Sequence, residues 1–271
     1  MKHDARPRPR VGKAVVALAA ASLALTACSA QAGPSASGSA ASDAPAGKKT
    51  VVVFAAASLK TSFTTLAEKL QGEHPELDLK FNFAGSQDLV AQIKAGAKAD
   101  VVATADLATM GKLKDAGSLD GAAQNFASNT LTIAVPPANP AGITALSDLA
   151  KPGVKTVLCA VQVPCGAASH KVETAAGIDI KPVSEELAVT DVLGKVSSGE
   201  ADAGLVYRTD VQGSKGKVKA VDFPQSSSAG NTYAAALVKN SPDSDGGKTF
   251  LAALTGEPGR TVLAEAGFGT P

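Results

Sequence analysis

From Lys49 onward, short apolar or β-branched runs alternate with helical patterns. Strands are expected at 49–54, 79–83, 99–103, 130–135, 154–160, 203–207, 218–222 and 232–238. Helices are expected at 58–71, 86–95, 107–115, 165–176, 191–198, 247–254 and 259–266. Strands separated by helices of about ten to fifteen residues predict α/β architecture with parallel sheets. No fixed-period repeat interrupts the pattern.

What precedes residue 49 reads differently. Five basic residues (Lys2, Arg6, Arg8, Arg10, Lys13) lead into an apolar run at 14–27, in which only Ser22 and Thr26 are polar. That run is too short to span a bilayer and has the layout of a secretory signal. It ends Leu25-Thr26-Ala27-Cys28, which resembles a bacterial lipobox and implies cleavage before Cys28 and lipidation of its thiol. Seventeen of the nineteen residues at 29–47 are Ala, Ser, Gly or Pro. Such a segment buries too little to offset its ordering entropy and reads as a flexible tether, assigned here to 28–48.

Charge and composition narrow the function. The chain carries 26 basic and 25 acidic residues. Without residues 1–27 the balance is 21 to 24, which excludes a strongly basic nucleic-acid binder. Three Cys are too few for a disulfide-dense scaffold or an all-thiolate zinc site. The three His (3, 74, 170) form no cluster, so no direct metal ligands and no cofactor are expected.

Two strand-to-helix junctions resemble each other, Ala55-Ala56-Ala57-Ser58-Leu59 and Phe83-Ala84-Gly85-Ser86. Small residues let a ligand approach the backbone. The first N–H groups of a helix lack internal acceptors and carry the positive end of its dipole, so such an end suits an anion. Each Ser also reads as a plain N-cap. Further candidates are Val163-Pro164-Cys165-Gly166, the helix start at Thr190-Asp191-Val192, and the strand Ala203–Tyr207 ending in one of two tyrosines.

Taken together, A-A-A-S-L, F-A-x-S, V-P-x-G, A-G-L-V-Y and the closing Gly267-Phe268 resemble the molybdate-binding proteins of bacterial ABC importers. The resemblance spans roughly 49–268. It implies a two-lobed periplasmic-binding-protein fold of type II, each lobe a mixed, mainly parallel sheet flanked by helices. Lobe one would be 49–130 plus 231–271 and lobe two 131–230, with hinge crossings near Thr130 and Asn231. It implies capture of molybdate or tungstate between the lobes and delivery to a membrane permease by a lipid-anchored, extracytoplasmic monomer, not an enzyme. Carried over, the oxyanion contacts are Ser58 and Ser86 through hydroxyl and N–H, Cys165 and Val192 through N–H, and Tyr207 through its phenol. Cys165 stands where the family commonly has Ala. Asp191, beside Val192, is expected to cap its own helix.

Two alternatives stay open: a carrier of sulfate or another tetrahedral oxyanion, and an extracytoplasmic hydrolase using the Cys165 thiol with His170. The latter pair lies five residues apart on one helix, about 140° round, and would not meet. In an exported protein, Cys159 and Cys165 suggest a disulfide instead, whose short loop would contribute roughly 2 kcal/mol.

Overall fold

The computed structural model describes residues 48–271. The signal, Cys28 and nearly all of the tether lie outside the described residues. The elements run β1 (Lys49–Ala56), α1 (Lys60–Glu73), β2 (Leu77–Ala84), α2 (Ser86–Lys94), β3 (Val101–Thr104), α3 (Leu107–Asp115), β4 (Leu119–Asn129) and β5 (Leu131–Val135). They continue with β6 (Thr156–Cys159), α4 (Pro164–Ala176), β7 (Ser184–Glu186), α5 (Val189–Ser197), β8 (Ala203–Tyr207), α6 (Arg208–Gly213), β9 (Lys219–Val221), β10 (Asn231–Val238), α7 (Ser244–Thr255) and α8 (Glu257–Glu265).

Two five-stranded sheets result, β2-β1-β3-β10-β4 and β7-β6-β8-β5-β9. Pairing is mixed in equal parts. β1 runs parallel to β2 and β3, whereas β10 runs antiparallel to β3 and β4. In the second sheet β6 is parallel to β7 and β8, and β5 is antiparallel to β8 and β9. The parallel expectation therefore holds for the βαβ units alone. The chain leaves the first sheet at Thr130, between β4 and β5, and returns at Gly230, just before β10. Asn129 and Asn231 sit opposite each other on these two crossing strands.

Strand periodicity sends alternate residues to opposite faces of the first sheet. Val51, Val53 and Ala55 join one core with Phe63 and Leu66 of α1 and Phe250 and Leu254 of α7. Phe54 faces the other way, into a core with Leu89 of α2 and Leu113 of α3. A third core wraps the second sheet, joining Ile133, Leu205 and Val206 to Val172 of α4 and Val192 and Val196 of α5. Each fully buried Leu, Val or Phe contributes about 1.5–3 kcal/mol, so the two sheets are separately supported.

Three elements escaped the sequence reading. β4 is an edge strand whose residues 120–125 are exposed and mostly polar or small, so no apolar alternation marks it. β7 has three residues, all polar, and α6 has six.

The topology places the site. The carboxyl ends of β1, β2 and β3 lie along one edge of their sheet, and those of β6, β7 and β8 along one edge of theirs. Open α/β sheets bind ligands outside such ends.

Candidate functional site

A small cavity of about 20 Å³ opens where these edges meet. From the first sheet's side it is lined by Ala56, Ala57, Ser58, Gly85, Ser86 and Ala105. From the second it is lined by Val163, Pro164, Cys165, Leu187, Ala188, Val189 and Tyr207. No charged side chain is among them. A larger cavity of about 310 Å³ adjoins it, sharing Ala57 and Ser58 and lined also by Lys60, Asp210, Lys215 and Glu265. The smaller one is the candidate site, because four helical starts converge on it.

Ser58 is the second residue of a 3-10 turn, Ala57–Leu59, that leads into α1. Ser86 is the first residue of α2, Cys165 the second of α4, and Val189 the first of α5. The N–H groups of a first turn have no acceptor within their own helix. Neither Ser acts as an N-cap: Ala56 and Gly85 hold those positions, with no side-chain capping bond. Four partial positive charges therefore face a space without a counter-charge.

The hydroxyls are oriented as well. Ser86 Oγ accepts the N–H of Ala105 at 3.0 Å, which leaves its own proton to donate. Ser58 Oγ lies 3.0 Å from the Tyr233 hydroxyl. Tyr207, 1% exposed, accepts from Asn231 Nδ2 at 2.7 Å. Burial, followed by the charges facing it, holds the Tyr207 phenol well above its ordinary pKa, so it stays a protonated donor.

Cys159 and Cys165 form a disulfide with Cα atoms 5.7 Å apart. It ties the end of β6 to the first turn of α4. Gly166 completes that junction, since a Cβ there would lie 1.9 Å from the Ala160 carbonyl oxygen.

Ser58, Ser86, Cys165 and Tyr207 line the cavity together with Val189, the first residue of α5, three positions before Val192. Val192 is the fourth residue of α5, and its side chain packs on β8 so tightly that a Cβ on Gly204 would meet Val192 Cγ1 at 2.5 Å, so its backbone N–H is the group it has to offer an anion. The expected helix began too late because Asp191 was read as its cap. Instead Ala188 is the N-cap, with no side-chain bond, and Asp191 is an exposed third residue. The apolar spacing Val189, Val192, Val196 marks the true start, as one helical face at i, i+3, i+7. Asn231, expected only as a hinge crossing, was not read as part of the site.

Comparison with known proteins supplies the family. Residues 51–269 match the bacterial extracellular solute-binding protein family. The chain belongs to that family. It is 44% identical over 225 residues to the molybdate-binding protein ModA of Mycobacterium tuberculosis (strain H37Rv), covering 83% of this chain and 86% of that one. Among solved structures, the Azotobacter vinelandii periplasmic molybdate-binding protein superposes with a TM-score of 0.71 at 20% identity, covering 82% of this chain and 99% of that one. The sulfate-binding protein SubI from M. tuberculosis superposes with a TM-score of 0.66 at 16% identity, covering 81% and 86%. Both superpositions show a shared fold.

Proposed function

We propose that this chain binds molybdate, and tungstate with it, between its two sheets and hands it to the permease of an ABC importer. The observation that carries the reading is the donor set: the N–H groups of Ser58, Ser86, Cys165 and the α5 start at Val189 and Val192, with the hydroxyls of Ser58, Ser86 and Tyr207, and no charged side chain in the lining. A dehydrated dianion needs many donors and no acceptors. Neutral donors on both sides also give the anion its coupling to motion. Only the closed arrangement offers both halves of the set, so the ligand favours closure about Thr130 and Gly230. The choice of molybdate over sulfate is supported by the ModA relative at 44% identity.

Titration calorimetry against molybdate, tungstate, sulfate and phosphate tests this. Molybdate and tungstate should bind far more tightly than sulfate, and equal binding of sulfate would overturn the assignment. A hydrogen bond to a charged group is worth about 1.5–3 kcal/mol, so Ser58→Ala and Ser86→Ala should each weaken molybdate roughly ten- to a hundredfold.

The protein acts as a carrier and not an enzyme. The hydrolase alternative needs a free Cys165 thiol, and that sulfur is bonded to Cys159. The mature chain is a monomer held outside the cytoplasm by a lipid on Cys28. Wild type should partition into detergent and Cys28→Ser into the aqueous phase; a wild-type chain found wholly aqueous would refute the anchor.

A further inference from the structure

Asn231 opens β10, where the chain re-enters the first sheet, and is 5% exposed. Its side-chain nitrogen lies 2.7 Å from the Tyr207 hydroxyl, 3.0 Å from the Ala105 carbonyl oxygen and 3.5 Å from that of Pro164. Those two carbonyls settle which way the amide faces. A carbonyl oxygen only accepts, so the turned-over amide would set Oδ1 against two acceptors with no proton between them. Nδ2 has two protons, and the two shortest contacts use both: one goes to Ala105, the other to Tyr207.

The phenol oxygen of Tyr207 is therefore an acceptor toward Asn231, which leaves its single proton for the cavity or, without a ligand, for the Tyr233 side chain that faces it. Tyr207 lines the cavity. We propose that Asn231 is a positioning residue that fixes the Tyr207 hydroxyl as a donor aimed at the bound anion. This rests on the cavity being the oxyanion site. Ala105 has a double part in it: its C=O orients Asn231 while its N–H, accepted by Ser86 Oγ, frees the Ser86 proton for the same cavity. One peptide thus sets the polarity of two hydroxyls. Asn231 also joins the two halves, since Ala105 follows β3 of the first sheet whereas Tyr207 ends β8 of the second.

A double-mutant cycle separates positioning from plain structural support. Molybdate titrations are made on wild type, Tyr207→Phe, Asn231→Leu and the double variant, with circular dichroism and the ligand-free Tm measured on each. Leu keeps the volume and removes the donor. Asn231→Leu alone should weaken binding about ten- to a hundredfold, because an unrestrained phenol can turn its proton to a protein carbonyl. On the Tyr207→Phe background it should add less than about threefold, since there is no proton left to aim. A full additional loss in the double variant, or no loss in the single one, would overturn the positioning role. Should Asn231→Leu fold poorly, Asn231→Ser, too short to reach both partners, gives the same cycle. Unchanged affinity in Tyr207→Phe itself would instead overturn the site assignment on which the proposal stands.

Discussion

Gly85→Ala is expected to weaken molybdate binding at least a hundredfold while leaving the ligand-free fold intact. Gly85 is the N-cap of α2, with φ −57° and ψ 137°, a conformation alanine adopts without strain. What excludes a side chain is the opposite wall. A Cβ on Gly85 would lie 2.1 Å from the carbonyl oxygen of Leu187, in the segment between β7 and α5. Relief of that clash requires the two walls to part by roughly an ångström, since nonbonded carbon–oxygen contacts sit near 3.3 Å. Parting draws the N–H groups of Cys165 and Val189 and the Tyr207 hydroxyl away from an anion held by Ser58 and Ser86. Two or more hydrogen bonds to a charged group are then lost or stretched, each worth about 1.5–3 kcal/mol. Ligand-free stability should stay level or rise by about 0.4–1 kcal/mol, because alanine narrows the unfolded ensemble. Gly111→Ala, at a helical position of α3 with open space around it, serves as the control that gains stability and keeps affinity. Calorimetric affinity beside a thermal melt reads both quantities. Wild-type affinity in Gly85→Ala would mean that this contact does not govern closure.

These residues show which parts of the molecule its sequence announces. β1 was legible because Val51–Phe54 is an uninterrupted apolar run, as a strand covered on both faces must be. The helix starts at Ser58, Ser86 and Cys165 were legible because small residues before a helical pattern have few other uses. β4 was invisible because an exposed edge strand takes its regularity from hydrogen bonds to β10, not from side-chain alternation. The part Asn231 plays beside Tyr207, beyond its place at a hinge crossing, was invisible for another reason. Its partners Ala105, Pro164 and Tyr207 lie 126, 67 and 24 positions away, and only the folded chain collects them. Gly85 was seen but misread: its smallness suggested room for a ligand, and the structure spends that room on Leu187.

Asp210→Asn should stabilise the protein at pH 8 and have no effect near pH 4. Asp210 is 8% exposed in α6, directly behind the site, and its Oδ2 accepts the N–H of Tyr207 at 2.9 Å. Burial pushes its carboxyl from an ordinary 3.8 up to about 7, and the Tyr207 N–H only partly opposes this. Between those values the folded chain holds a proton that the unfolded chain has released. Stability must then fall as pH rises from about 4 to 7 and level off above, losing on the order of 4 kcal/mol in all. An amide keeps the acceptor for Tyr207 N–H and removes the titration. Asp148 acts in the opposite sense. Its bond to Lys151 and the N–H groups of Thr144 and Ala145 hold its carboxyl well below the usual range, so its stabilisation is present above pH 4 and fades only in stronger acid. The Asp210 effect can thus be read above pH 4 without interference. It also reaches the ligand. Ionised Asp210 is among the charges that raise the Tyr207 pKa, so its field acts at the phenol and opposes an incoming dianion there. Lys60, Lys215 and Glu265 line the neighbouring cavity with it, so charges of both signs share that space. Wild-type affinity for molybdate should therefore decline from pH 6 to pH 8 as Asp210 loses its proton. Asp210→Asn should flatten the decline, and parallel pH profiles for the two proteins would show that Asp210 stays in one protonation state throughout.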